Sequence, residues 1–208
     1  MSLVVILNNG ESIVAATDKR IVYATNGVID KISDSNKKIF ITPQGYTVSF
    51  NGDVLLNEIS LIDLLKRFIE STKKQISIDT YTKKLRKFLK SAFLKARIPT
   101  FNAVVQVSGI NIRPKTKILQ LQGMKIFDQN KQFMLCGANE VAKGIIEKIC
   151  DSEEYKNAEF QMSVPYMVSL ARKLIEAAAE KEVGKDGICP VSRDSDIVLI
   201  DKDGAREV

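Results

Sequence analysis

The sequence predicts an α+β protein in which two antiparallel sheets stack and pairs of helices cover their outer faces. The prediction rests on the order of the segments: short runs rich in β-branched residues, two amphipathic segments of helical period, more short runs, two more helical segments and a final run. Each sheet and helix has an apolar side to bury, and stacked sheets flanked by helices satisfy this need. The 208 residues are enough for one substantial core, so we expect a single domain over residues 1–208.

The first third of the chain consists mainly of strand signals. Two apolar runs, residues 3–8 and 12–17, are separated by Asn8-Asn9-Gly10, and an Asn-Gly turn is typical of a tight hairpin. Such a hairpin returns Asp18 to the side of the amino terminus. The other strands predicted here are residues 20–24, 38–43 and 46–50.

Two amphipathic helices are predicted next, at residues 54–70 and 78–97. The first places its apolar side chains along one stripe, namely Leu55, Ile59, Ile62, Leu65 and Ile69. Pro99 ends the second, because proline lacks the backbone N–H that a helix interior requires.

The second half of the chain again has strands followed by helices and a last strand. Ser163 can cap the last helix, and Pro165 is tolerated in its first turn. The predicted strands are residues 101–108, 116–122, 132–136 and 196–200, the helices are residues 139–149 and about 163–182, and the least regular stretches are residues 151–161 and 184–193.

The absence of histidine excludes several kinds of active site. Without it, Ser-His-Asp catalysis, Cys-His catalysis and histidine-rich zinc sites cannot form. Gly-rich phosphate-binding strings are also missing, so the sequence implies no cofactor and no metal. The three cysteines, Cys136, Cys150 and Cys189, are far apart and odd in number, which favours small buried residues in a reducing compartment.

The sequence carries no signal for a membrane or for secretion. No apolar run reaches the roughly 20 residues that a membrane-spanning helix needs, and the amino terminus has no secretory signal. We therefore expect a cytoplasmic protein without a membrane partner.

The net charge of +6 is concentrated in one segment. Between Lys66 and Arg97 the chain carries eleven basic residues against Glu70 and Asp79. Apolar residues of the same segment recur at helical spacing, which favours a helix whose cations line the solvent-exposed face. Two alternatives stay open: a docking surface for an acidic partner and, less favoured, a nucleic-acid footprint.

Ser2 is a candidate nucleophile because it directly follows the initiator methionine. It is small enough for methionine aminopeptidase to remove Met1, which leaves the hydroxyl and a free α-amine on one residue. An α-amine has a pKa of roughly 8 and can accept the proton of the hydroxyl. Asp18, returned by the hairpin, and Lys38 can complete a site around this hydroxyl. A retained Met1 would leave Ser2 without its base.

These residues resemble the proteasome β-subunit group of N-terminal nucleophile (Ntn) hydrolases. The resemblance spans essentially the whole chain and implies a four-layer αββα sandwich. It rests on Ser2, on Asp18 in the string Ile13-Val14-Ala15-Ala16-Thr17-Asp18-Lys19-Arg20, on Lys38 in Lys37-Lys38-Ile39-Phe40, on Gly52-Asp53 before a helix, and on Asp196-Ile197-Val198-Leu199-Ile200 as the last core strand.

The resemblance also implies a role for each residue. Ser2 would attack the substrate, Lys38 would favour the ionised hydroxyl, and Asp18 would hold the lysine in place. In this family a backbone N–H of the turn before the first long helix stabilises the oxyanion. Alignment from the helix assigns that donor to Ser49, and alignment from the preceding glycine assigns it to Phe50.

Three further positions correspond to accessory groups of the family. Ala138 stands where the family has a serine near the amine of the nucleophile, so that hydroxyl is missing. Counting back from the last strand places Asp186 on the accessory acid and Cys189 on the accessory serine. A thiol is a weaker hydrogen-bond donor than a hydroxyl, so this part of the network is reduced.

The resemblance implies an enzyme that acts on peptide bonds of a peptide or protein substrate through an acyl ester on Ser2. Water resolves the ester in a peptidase, whereas an amine resolves it in a transpeptidase such as the archaeal connectase-type protein ligases, of which this chain would be the catalytic domain or a short relative. The alternative is a non-catalytic proteasome-fold protein that assembles or binds peptides, which Ala138 favours. A homo-oligomer, such as a ring, is favoured by analogy alone.

Overall fold

The computed structural model describes residues 2–25, 28–56, 59–98, 101–156, 162–181 and 189–208. Fourteen strands and five helices lie in these ranges. In chain order they are β1 (Leu3–Asn8), β2 (Ile13–Asp18), β3 (Ile21–Thr25), β4 (Val28–Ser33), β5 (Ile39–Ile41), β6 (Thr47–Gly52), β7 (Leu55–Leu56), β8 (Ile59–Ser60), α1 (Leu61–Ser71), α2 (Ile78–Lys95), β9 (Ala103–Ile110), β10 (Pro114–Gln120), β11 (Lys125–Gln129), β12 (Phe133–Gly137), α3 (Glu140–Asp151), α4 (Glu153–Lys156), α5 (Val164–Lys181), β13 (Ser195–Asp201) and β14 (Gly204–Glu207).

Two five-stranded antiparallel sheets form the centre of the fold. The first sheet has the strand order β12-β1-β2-β13-β14, and the second has the order β11-β10-β9-β6-β5. Two small hairpins, β3-β4 and β7-β8, complete the pairing among the described residues. In the first sheet β1 pairs with both β2 and β12, so the chain segment after Ser2 lies in the interior of a sheet.

Three groups of buried apolar side chains connect these elements. One group joins the second sheet to α1 and α2, and another joins the first sheet to α3 and α5. The third contains Val4 and Ile6 of β1 together with Ile39 of β5. Because Leu3 and Val5 belong to the group with α5, alternate residues of β1 are buried on opposite faces. This double burial explains the unbroken apolar run at the start of the sequence. Among the described residues the fold is therefore a mixed α/β fold with two five-stranded sheets, two small hairpins and five helices.

The predicted helix at residues 54–70 is wrong at its start. Residues Leu55–Leu56 and Ile59–Ser60 pair as the hairpin β7-β8, and α1 begins at Leu61. The Ser60 hydroxyl accepts a hydrogen bond from the Asp63 N–H at 3.2 Å, which caps the first turn. The apolar spacing alone could not show this boundary, because Leu55 and Ile59 also fit the helical stripe.

The sequence prediction also missed three strands and one short helix. β4, β11 and β14 were not predicted, and α4 lies in the stretch 151–161 that was expected to be irregular. β14, with the sequence Gly-Ala-Arg-Glu, has little strand propensity, and it exists because β13 offers an edge for antiparallel pairing. The other predicted strands and helices are confirmed to within about two residues at each end.

Membrane-spanning helices and the number of domains were also considered in the sequence-based predictions. None of the helices in the described ranges is long and apolar enough to cross a membrane. The prediction of one domain over residues 1–208 stays a prediction.

Candidate active site

Ser2 lies directly before β1 and is held through its backbone by the end of β12. The Ala138 N–H donates to the Ser2 carbonyl at 3.0 Å, and Leu3 pairs with Gly137. Gly137 has a φ of +101°, and a β-carbon at this residue would lie 1.7 Å from the Ser2 carbonyl oxygen. Only glycine fits this position, so the close approach of the two strands fixes Ser2.

Lys38 reaches Ser2 from the second sheet. It lies directly before β5, its side chain is fully buried, and its Nζ donates to Ser2 Oγ at 2.9 Å and to Asp18 Oδ2 at 3.0 Å. The third hydrogen bond of Nζ goes to the backbone carbonyl of Arg20. All three protons of the ammonium are thus used, and the structure brings together Ser2, Asp18 and Lys38, which are far apart in the sequence.

The carboxylate of Asp18 is oriented by backbone donors as well as by the lysine. Its Oδ1 accepts from the Leu3 N–H at 2.8 Å, and its Oδ2 accepts from the Arg20 N–H at 2.9 Å and the Ser192 N–H at 3.3 Å. Asp18 is fully buried at the end of β2. Because four donors surround it, the carboxylate is fixed in one orientation and can hold the Lys38 ammonium in one position.

Burial and the charge of Asp18 act in opposite directions on the pKa of Lys38. Loss of hydration lowers the pKa of Lys38 below its usual 10.5, and the neighbouring Asp18 carboxylate opposes this effect without cancelling it. An ammonium held at this cost, within hydrogen-bond distance of a hydroxyl, stabilises the ionised form of that hydroxyl.

The predicted oxyanion donors do not have free amides. The Phe50 N–H donates to the Lys38 carbonyl at 3.3 Å, so the expectation for Phe50 is wrong. Along a strand, successive N–H groups point alternately toward the two neighbouring strands. The Asp53 N–H donates to the Asn102 carbonyl, on the β9 side, at 2.9 Å. By this alternation the Ser49 amide also faces β9.

The same alternation directs the Gly52 amide to the other side of β6. Gly52 pairs with Ala103 of β9. Its N–H faces the other side of β6, where Lys38 directly precedes β5. Its φ is +104°, and a β-carbon here would lie 2.3 Å from the Asn102 carbonyl oxygen. Alternation thus places the Gly52 amide on the same side of β6 as Lys38. Gly52 was not among the predicted donors, because the alignments from the helix and from the preceding glycine gave Ser49 and Phe50.

A buried chain of polar side chains lies between the sheets beside this site. The Ser49 hydroxyl donates to Gln106 Oε1 at 3.2 Å, and Gln106 Nε2 donates to Asn51 Oδ1 at 2.8 Å. Asn51 Nδ2 lies 3.5 Å from the point where a Gly137 β-carbon would stand, so its amide is directed toward the Ser2 end of the first sheet. The alternating polar residues of β6 are the sequence signal that could have identified this chain.

The accessory positions are only partly brought to the site. Ala138 contributes its backbone N–H rather than a side chain. The Cys189 thiol donates to the Val191 carbonyl at 3.2 Å, and its carbonyl accepts from the Arg20 guanidinium at 3.0 Å, so the contacts of Cys189 lead to Arg20 and not to Ser2. Asp186 lies outside the described residues.

Ser192, which was not predicted as a site residue, contacts Asp18 directly. Its N–H donates to Asp18, its hydroxyl accepts from the Lys19 N–H at 2.9 Å, and the hydroxyl donates to the Asp194 carbonyl at 3.0 Å. Gapless counting from the last strand had assigned the accessory serine of the family to Cys189 and not to Ser192.

Within the described ranges no group of three or more acidic or thiol side chains is placed to hold a metal ion. The side chains that meet at the site are a serine hydroxyl, a buried lysine and an oriented carboxylate.

Comparison with known proteins shows which known fold this chain resembles. No family model matches the chain, and no curated protein matches it. Among solved structures the chain is similar to a Gly-1 mutant of Anbu from Hyphomicrobium sp. strain MC1, with a TM-score of 0.73 over 100% of this chain and 85% of that chain at 14% sequence identity. A likeness at this identity shows the fold alone, which is proteasome-like.

Proposed function

We propose that this chain is an N-terminal serine amidohydrolase that acts on peptide bonds through an acyl ester on Ser2. One observation carries the proposal: the fully buried Lys38 ammonium donates to Ser2 Oγ at 2.9 Å while Asp18 holds it at 3.0 Å. A lysine whose pKa is lowered by burial is seldom kept in a core for stability, since an apolar residue of the same size would cost less. The proteasome-like fold supports the same conclusion.

The proposed reaction begins once Met1 has been removed and Ser2 carries a free α-amine. The amine takes the hydroxyl proton as Oγ attacks the carbonyl carbon of the peptide, and the ammonium of Lys38 stabilises the charge on Oγ. The tetrahedral oxyanion is stabilised by the Gly52 N–H, with the Asn51 amide as a second donor. The C–N bond then breaks, the leaving amine receives the proton, and the acyl ester remains on Ser2.

The second half of the reaction distinguishes a peptidase from a transpeptidase. Water attacks the ester in a peptidase and releases a carboxylic acid, whereas an amine attacks it in a transpeptidase and forms a new peptide bond. The connectase-type ligase activity belongs to this second outcome. We propose to separate them by incubating a peptide substrate with increasing concentrations of an acceptor peptide and measuring both products by mass spectrometry. Hydrolysis that dominates at millimolar acceptor assigns the chain to the peptidases.

The finer architecture is part of the same proposal. We assign the two sheets and the two helix groups to a four-layer αββα sandwich of the Ntn type. The three groups of buried side chains support this assignment, because one lies against α1 and α2, one against α3 and α5, and one contains residues of both sheets.

The test is covalent labelling of a protein whose first residue is Ser2. Cleavage of an amino-terminal fusion can expose Ser2, and intact-mass analysis after treatment with a β-lactone should show a single adduct. Two controls accompany it: Ser2→Ala removes the hydroxyl, and one alanine added before Ser2 converts the amine into an amide. Labelling that persists in Ser2→Ala would remove Ser2 as the nucleophile. A protein that is never labelled but binds peptides would belong to the non-catalytic alternative.

A further inference from the structure

A strongly basic surface lies on the side of the molecule formed by α1 and α2. Residues 66–97 carry eleven basic side chains and two acidic ones, whereas the rest of the chain carries 20 basic and 23 acidic side chains. All eleven cations are exposed, as expected for a solvated face. They are Lys66, Arg67, Lys73, Lys74, Lys83, Lys84, Arg86, Lys87, Lys90, Lys95 and Arg97.

None of these cations is neutralised within the described part of the chain. The ion pairs found there leave all eleven without an acidic partner. Asp79, the acidic residue on α2 itself, is already bound by Lys115 at 3.1 Å and by Lys117. The positive charge of this surface is therefore available to a partner.

Four of the cations surround one concave site, which we call the α2 basic site. Lys83, Arg86, Lys87 and Lys90 form one face of the helix, and the turn Gly123-Met124 between β10 and β11 forms the opposite wall of a cavity of about 500 Å³. Residues at spacings of three and four are neighbours on a helix, so these like charges repel one another. A helix that keeps four unpaired cations against a cavity is arranged to receive an anion.

The size and lining of the site favour a peptide. Lys83 and Lys90 are separated by about 10 Å along the helix axis, which is the length of about three residues of extended chain. Among the described residues no aromatic side chain lines the cavity, and Phe88 on the same helix packs against the core, so these residues offer no platform on which a base could stack. Met124 adds a flexible apolar contact for the stem of a glutamate side chain.

We infer that the α2 basic site binds an acidic segment of a polypeptide, with closely spaced carboxylates lying along Lys83, Arg86, Lys87 and Lys90. Arg86 can hold one carboxylate through two parallel hydrogen bonds, and the lysines act as point charges. The inference concerns a surface on the helices of the second sheet and does not depend on whether Ser2 is catalytic.

The experiment measures binding of a fluorescein-labelled octaglutamate peptide by fluorescence anisotropy at two salt concentrations. The test variant is Lys83→Gln/Arg86→Gln/Lys87→Gln/Lys90→Gln. The matched control is Lys66→Gln/Arg67→Gln/Lys73→Gln/Lys74→Gln, which removes the same charge from the same surface but outside the cavity. Circular dichroism and thermal unfolding of both variants show that the helices are intact.

We expect the test variant to bind the peptide at least about tenfold more weakly, because four surface ion pairs are lost, and the control to retain most of its affinity. Absence of binding by the unmodified protein, or equal loss in the two variants, would overturn the inference. A nine-residue oligothymidylate, which carries eight phosphates, is measured in parallel. Tighter binding of this DNA than of the peptide would assign the site to nucleic acid instead.

Discussion

The carbonyl oxygen of Ser2 lies 1.7 Å from the point that a β-carbon on Gly137 would occupy. The backbone of Ser2 therefore occupies the space that a side chain at residue 137 would need. The neighbouring N–H of Ala138 donates to the same oxygen at 3.0 Å, so the end of β12 both admits and fixes Ser2. Placement of the hydroxyl near Lys38 depends on this contact.

Gly137→Ala should displace Ser2 and stop acylation. The new β-carbon would meet backbone atoms that cannot move aside easily, and its φ of +101° is unfavourable for alanine, so we expect a loss of about 1–3 kcal/mol in the free energy of unfolding. Urea denaturation and β-lactone labelling measure the two effects. Gly144→Ala in α3 is the control: a β-carbon there meets no atom within 4 Å, and we expect a gain of about 0.5–1 kcal/mol. Normal labelling of the Gly137 variant would contradict this account.

Lys38→Met should abolish acylation and leave the protein folded. Methionine fills a similar volume without a charge. Removal of one partner of a buried ion pair commonly costs about 3–5 kcal/mol, and the three backbone donors that Asp18 retains offset part of this cost, so we expect a loss of less than about 3 kcal/mol in the free energy of unfolding. Labelling and urea denaturation at neutral pH test both parts. Full labelling of a folded Lys38→Met protein would show that the lysine has no chemical role.

The same variant gives a prediction for pH. Burial lowers the pKa of Lys38 in the folded protein below 10.5, so between the folded and unfolded pKa values the unfolded chain binds more protons. The free energy of unfolding of the original protein should therefore rise with pH through this window relative to that of Lys38→Met. Urea unfolding of both proteins from pH 7 to pH 10 measures the difference, and a constant difference would show that the pKa of Lys38 is not lowered.

Asp18→Asn should be more damaging to stability than Lys38→Met. The amide nitrogen would replace an oxygen that faces Lys38 Nζ, the Arg20 N–H and the Ser192 N–H, and two donors cannot bond to each other. Breaking one side of a buried ion pair commonly costs about 3–5 kcal/mol. Thermal unfolding compares this variant with Asp203→Asn, an exposed position on the turn before β14, which we expect to be neutral. Equal stability of the two variants would argue against a stabilising role for the hydrogen bonds that surround Asp18.

Substitutions in β6 can identify the oxyanion donor. Gly52→Ala should lower the rate of acylation by about 10²–10³-fold, because the β-carbon would push the backbone away from Asn102 and shift the N–H. Ser49→Ala keeps the backbone amide and removes only the hydroxyl that donates to Gln106, so it should change the rate by less than about tenfold. Gly109→Ala controls for strain, because its β-carbon would meet the Tyr46 ring at 2.2 Å, away from the site. Similar rates in the Gly52 and Gly109 variants would remove Gly52 from the proposed mechanism.

Parts of this protein follow from local patterns in its sequence. The apolar run of β1, the Asn-Gly hairpin and the helical period of α2 each depend on neighbours within a few residues, and each was predicted. The candidate residues Ser2, Asp18 and Lys38 were found through the strings around them. Strand β14 and the start of α1 were missed, because β14 forms on an edge supplied by β13 and α1 begins where Ser60 ends a hairpin.

The sequence by itself determined the order of the strands and helices and the residue types that a serine-lysine-carboxylate site requires. The tertiary structure decided which groups meet: that the Phe50 amide is bound to the Lys38 carbonyl, that Ser192 rather than Cys189 contacts Asp18, and that Gly137 admits the Ser2 carbonyl. The direction of an N–H depends on which strand lies beside it and in which register. Pairing and register are set by the burial of whole sheets, so no short stretch of sequence contains them.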